Sequence, residues 1–173
     1  MKIATEILQK CEVHESQLNI FSTNWPNGVE LSEEWLKEAI ELGLNIFWLE
    51  NLVPEEKFEA YSNLRRALLA DYDAKIVDIR TFTGILNNNL FASYEAQVKL
   101  IRAVYDDKVK PIHNLNEEQV KSLWREFINQ KESSHDVYEA QRDLVYDKFF
   151  KRRTSSYKVY TIQVGKLLLK FLN

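Results

Sequence analysis

Tyrosines in this chain recur at an interval of eleven. Tyr61 and Tyr72 stand eleven residues apart, and so do Tyr94 and Tyr105. The stretch "YDAKIVDI" (72–79) returns as "YDDKVKPI" (105–112), an offset of 33, and "YEAQVKL" (94–100) returns as "YEAQRDL" (138–144), an offset of 44. Both offsets are multiples of eleven. Eleven residues close almost three α-helical turns, at about 3.67 residues per turn, so positions eleven apart stay on one side of a nearly straight helix. Tyrosine suits such a seam, with an apolar body and a hydroxyl for the rim. The spacing therefore predicts long helices that meet along a tyrosine seam.

Composition agrees with an all-α fold. The 173 residues fit one domain, and 45% hydrophobic residues suffice for a sizeable core. Four Gly and three Pro are too few for a loop-rich sandwich or a disordered linker. We expect a single helical domain of about six or seven helices over 1–173. It comprises N-terminal helices (1–53), a long helix pair carrying the degenerate repeat (54–112) and C-terminal helices with a basic end (113–173). Helical spacing of Ile3, Ile7, Leu8 and Cys11 predicts a helix over 2–14. "STNWPNGVEL" reads as a loop. Ser32 should N-cap the next helix, which Gly43 should close in a left-handed conformation. Pro54 should open a long helix over 54–78. "TFTGILNNN" should break it, and a second long helix over 91–109 should return antiparallel and stop at Pro111. Asn116/Gln119 and Asp136/Glu139 read as capping boxes for helices at 117–131 and 137–152. Residues 157–164 suit either strand or helix, and the helical spacing of Tyr157, Tyr160, Val164 and Leu168 favours helix.

The chemistry of common enzyme motifs is missing. There is no phosphate-cradling Gly-rich loop, no H-E-x-x-H, no C-x-x-C and no G-x-S-x-G. Cys11/His14 and His135/Glu139 each offer two ligands, too few for a closed metal site. We therefore expect a non-enzyme with no catalytic residue, metal or cofactor. The single cysteine, Cys11, fits a reducing compartment. With no signal-peptide pattern and no membrane-length apolar run, the expected location is cytoplasmic.

Charge supplies two candidate surfaces. Lys148–Asn173 holds seven basic residues and no acid, so the net charge of −3 divides into +7 there and −10 on residues 1–147. Lys148, Lys151, Arg152, Arg153 and Lys158 alternate with Phe149, Phe150, Tyr157 and Tyr160, a pattern that neutralises phosphates and stacks bases. The same tail could instead dock on the protein's own acidic surface. Glu33, Glu34, Glu38 and Glu41 form a candidate acidic interface that also reads as an ordinary solvated helix face.

Cys11, Trp25, Pro26 and Gly28, the "GLNIFWL" step through Gly43, Leu44, Trp48 and Leu49, and the Tyr-Asp-x-Lys repeats together resemble a set of small phage and prophage helical proteins. The resemblance covers about residues 11–112. It implies a setting, a phage-infected bacterial cytoplasm, and no activity. For a small acidic protein in that setting we expect a protein-interaction module that binds and modulates a host protein, for counter-defence or host take-over. A nucleic-acid-binding regulator using the basic end, and an assembly protein self-associating through the tyrosine seam, are the competing readings.

Overall fold

The structure, a computed structural model, describes residues 1–110 and 117–173. Pro111 as a helix stop, His113 in its loop and the Asn116 half of the first capping box lie outside the described residues. The fold is all-α apart from one small strand pair. In chain order come β1 (Lys2–Ile3), α1 (Thr5–Lys10), α2 (Glu15–Asn24), β2 (Val29–Glu30), α3 (Glu33–Glu41), a 3₁₀ helix (Ile46–Leu52), α4 (Glu55–Val109) and α5 (Glu117–Leu172). The chain divides into two compact units: unit 1 is Met1–Ile76 with Arg153–Asn173, and unit 2 is Val77–Arg152.

Unit 1 contains the main core. Ile3, Leu8, Phe21, Leu36, Ile46, Leu49, Tyr61, Val164 and Leu168 are almost fully buried. β1 pairs antiparallel with β2, Ile3 opposite Val29. The turn into β2 needs Gly28, because φ is +73° and a Cβ there would sit 2.5 Å from the Ile3 carbonyl oxygen. α3 begins and ends as the sequence predicts. The Ser32 side chain accepts from Trp35 N–H at 3.1 Å. Gly43, at φ +80°, closes the helix with Leu44 N–H donating to Ala39 O and Gly43 N–H to Ile40 O.

The N-terminal helix predicted over 2–14 is instead β1, α1 and a turn that leads to the α2 N-cap at His14. A turn at Cys11–Glu12 separates the helices, and the His14 ring caps α2 by accepting from Ser16 N–H. Cys11 and His14 therefore do not share one helix face. Residues 15–24 are helical although no sequence signal singled them out.

The larger correction concerns the long helices. Segments 54–78 and 91–109 are not an antiparallel pair; they lie end to end within the 55-residue α4. Each interior Gly or Asn costs a helix only about 0.5–1 kcal/mol relative to Ala, and no proline interrupts 55–109. Likewise the helices at 117–131 and 137–152 and the ambiguous 157–164 merge in the 56-residue α5. Asp136 and Glu139 are interior positions, not caps.

The antiparallel partner of α4 is α5. In unit 1, Tyr61 meets Phe171 and Tyr72 stacks on Tyr160 with centroids 5.1 Å apart. In unit 2, Tyr94 stacks on Tyr138 at 5.2 Å, and Tyr105 meets Phe127 at 5.2 Å. In either unit a step of eleven along α4 is matched by a step of eleven back along α5.

Two helical glycines separate backbone preference from packing. Nothing lies within 4 Å of a Cβ added at Gly84, whereas one at Gly165 would stand 2.9 Å from Ile46 Cδ1 and closer still to both Leu36 methyls. Gly84→Ala should stabilise by about 0.5–1 kcal/mol through helix propensity alone. At Gly165 the same gain is outweighed by overpacking of about 1–3 kcal/mol, so Gly165→Ala should destabilise. Urea denaturation of both variants checks the opposite signs.

Candidate functional site

The charged surfaces read from the sequence are partly engaged within the chain. In unit 1, Lys166 Nζ lies 2.6 Å from Glu33 Oε2 and Lys158 Nζ lies 3.5 Å from Glu41 Oε1. Two of the four candidate acids thus face two basic residues of the C-terminal segment. These pairs are exposed, and each contributes only about 0–1 kcal/mol. Glu34 is exposed, and hydrogen bonds from its own backbone N–H and then from Ser32 hold its carboxyl below the usual range. Glu38 is exposed on the same helix.

The basic segment is not one continuous array. In unit 2, Lys151 Nζ lies 2.6 Å from Asp147, and the Arg152 guanidinium lies 5.5 Å over the Phe82 ring. Lys148 lines a hollow with Phe82 and Phe149. Arg153 and Lys158 are exposed in unit 1, but Tyr160, one of the aromatics meant to stack bases, is buried against Tyr72. Among the described residues no group of three or more His, Cys, Asp or Glu could hold a metal ion, and no helix is long and apolar enough to cross a membrane.

A polar node in unit 1 was not legible in the sequence. Glu50, in the 3₁₀ helix, meets Arg65 of α4 with Oε1 3.0 Å from Nε. The Arg65 guanidinium also lies 5.7 Å from the centre of the Phe47 ring. Tyr61 and Tyr160 flank this pair. Burial, then the Glu50 charge, push the Tyr61 phenol well above its ordinary range, and burial likewise raises Tyr160. No spacing rule joins residues 50, 65 and 160; only the fold brings them together.

Unit 2 is built differently. Of its described hydrophobic residues only Phe127 is below a tenth exposed. At about 98° per residue, positions on either side of the seam form two faces. One carries Phe91 on α4 and Trp124, Ile128, His135, Tyr146 and Phe150 on α5. Trp124 is 50% exposed and Phe150 56%. Two of these side chains rest on seam tyrosines edge to face, Trp124 against Tyr105 and His135 against Tyr94. Arg142 lies over Tyr138, and the Tyr94, Ile128, Lys131, Glu132 and His135 side chains enclose an open hollow of about 320 Å³. His135 and Glu139, the two-ligand pair of the sequence, are 3.9 Å apart here. Glu139 also hydrogen-bonds Arg142 at 2.7 Å.

The polar node predicts an alkaline limit. Below pH 10 the Tyr61 phenol is neutral in both the folded and the unfolded chain and adds no pH dependence. Above it the unfolded chain ionises while the folded one does not, so stability falls by up to about 1.4 kcal/mol per pH unit. Tyr61→Phe should make the urea midpoint fall less between pH 10 and 12. An unchanged decline would show that Tyr61 is not the source.

Comparison with known proteins finds no match for this chain: no family model, no curated protein and no solved structure is similar to it.

Proposed function

We propose that this protein is a non-enzymatic protein-interaction module that grips a partner protein through the aromatic face of unit 2. One observation carries the reading: Trp124, Tyr146, Phe150 and Phe91 stand 44–56% exposed on one side of a two-helix unit with almost no core of its own. Trp, Tyr and Arg are the residues that dominate binding energy when they reach a partner's pocket. The hollow beside His135 in turn accepts an anchor side chain. Large exposed apolar patches are unusual on chains that act alone.

The resemblance of residues 11–112 sets the partner we propose, a host protein in a phage-infected bacterium, bound and modulated. The exposed Glu34 and Glu38 would favour a basic site on that protein and speed encounter more than they tighten binding. The tyrosine seam is a poorer surface for self-association, because α5 of the same chain already covers it.

The immobilised chain, challenged with host lysate before and after nuclease treatment, tests this reading. Trp124→Ala with Phe150→Ala should keep the helical circular dichroism and lose a captured host protein by about 30-fold or more, the scale of one hot-spot contact. Unchanged capture by that variant would sink the reading. Capture abolished by nuclease would favour nucleic-acid contact through Lys148, Lys151 and Arg152. Glu34→Lys with Glu38→Lys reports separately on the acidic face.

A further inference from the structure

The other side of unit 2 carries a second stripe at the same interval. Phe82, Ser93 and Val104 succeed one another by eleven, with Leu86, Asn89, Gln97 and Leu100 filling the spaces between them. Phe82 precedes the seam position Thr83 by one residue and Phe91 follows it by eight. Those steps place them about 100° to one side and about 65° to the other. Two hollows confirm that this stripe shares its face with α5. Phe82 and Leu86 line one with Lys148 and Arg152, and Val104 and Lys108 line the other with Glu126 and Gln130. Leu100 is 68% exposed, and Phe82, Val104, Val137 and Leu144 are each half exposed or more.

We propose that a second copy of this chain covers this face, with α4 packed antiparallel on α4 about a twofold axis at Ser93. The proposal uses the side away from the aromatic face, so it stands independently of the partner reading above. The stripe is self-complementary about Ser93. Twofold rotation sets Phe82 against Val104, Leu86 against Leu100, Asn89 against Gln97, and Ser93 against itself. Apolar groups meet apolar groups at both ends, and two amides that can hydrogen-bond meet between them. The alternative twofold, which lays α4 on α5 of the other copy, sets Val104 against Glu126 and Gln130, apolar against polar, and is disfavoured.

Charge selects the same arrangement. In one copy Lys108 and Glu126 form a pair at 3.0 Å at one end of the face. Asp78 and Arg152 occupy the other end. The axis at Ser93 brings the two ends together, Lys108 to Asp78 and Glu126 to Arg152 of the other copy. An isologous contact makes each of these pairs twice. Unit 2 holds twelve Lys/Arg and twelve Asp/Glu, so no net charge opposes the association. The stripe runs about 33 Å at 1.5 Å per residue, and two helices about 10 Å apart give it a width of about 20 Å. The resulting face of roughly 650 Å² per copy approaches the roughly 800 Å² per partner of a standard stable interface.

Sedimentation of the full chain over a concentration series, with disulfide trapping, tests the proposal. The wild type should reach twice the chain mass, and Leu100→Glu should stay at the chain mass with unchanged helicity. Lys108→Asp or Asp78→Lys alone should weaken association several-fold, and the two together should restore it. In a Cys11→Ser background, Ser93→Cys should form a disulfide-linked dimer on mild oxidation, and Glu95→Cys should not. A wild type at the chain mass at every concentration overturns the proposal. So does a dimer that links through Glu95→Cys but not through Ser93→Cys. Neither result touches the aromatic face, whose test is host-protein capture.

Discussion

Two tyrosine pairs set the register of this fold. Tyr72 on Tyr160 and Tyr94 on Tyr138 stack with the same interplanar angle of 28° and nearly the same centroid separation. Each pair is worth about 0.5–1.5 kcal/mol beyond the area it buries. Their larger effect is on register, since sliding α5 by a turn would take every seam aromatic off its partner. The repeat "YEAQ" at 94 and 138 follows from this. Two antiparallel helices are related by a local twofold, so a motif that packs well against itself serves on both strands of the pair. Tyr94 stacks on Tyr138 because the motif meets its own copy.

The two units use the α4–α5 pair for different ends. In unit 1 the pair is a wall against which α1, α2, α3 and the 3₁₀ helix bury their apolar faces. Gly165 lets α5 approach Leu36 and Ile46, and Glu50 and Arg65 hold the 3₁₀ helix to α4. In unit 2 nothing else packs on the pair among the described residues, so the seam alone is covered. A helix pair has a seam and two open sides, and here both sides carry large apolar groups at the seam's own interval. That uncovered apolar surface is the physical basis of the interaction we propose. A solitary two-helix unit leaves its apolar surface in water, at roughly 25 cal/mol per Å² relative to burial.

Much of this was legible in the sequence, and the failures have a common cause. Ser32, Gly43 and the helical C-terminal segment were legible because caps and periodicity are local. The seam was legible because eleven is close to a whole number of turns. What sequence spacing could not supply was the partner. Tyr61, Tyr72, Tyr94 and Tyr105 fall on one seam whether they face each other or a third segment, and only the fold chooses α5. The acidic and basic surfaces were visible as charge. Their mutual engagement through Glu33–Lys166 and Glu41–Lys158 depends on long-range contact, as does the Glu50–Arg65–Tyr61 node. The aromatic face is not legible in composition, because Trp124, Tyr146 and Phe150 lie close to seam residues in sequence; it emerges only once the seam's phase and the exposure of these side chains are known.

The predicted break at "TFTGILNNN" shows what a sequence repeat does and does not report. The eleven-residue series places position 83 between Tyr72 and Tyr94, and there the chain has Thr83 in place of an aromatic. The repeat stops, but the helix does not. A helix is held by backbone hydrogen bonds, and Thr83 even adds one by donating its hydroxyl to Ile79 O at 2.8 Å. What is lost is side-chain volume. Phe149 has a threonine where its neighbours in the α5 series have tyrosines, and a hollow of about 210 Å³ opens beside it, lined by Phe82, Leu86 and Arg152. The repeat is thus a record of packing, not of backbone. Where it lapses the chain keeps its path and gives up contact, and the bulky side chains beside the lapse, Phe82 above all, are left facing outward at the end of the stripe.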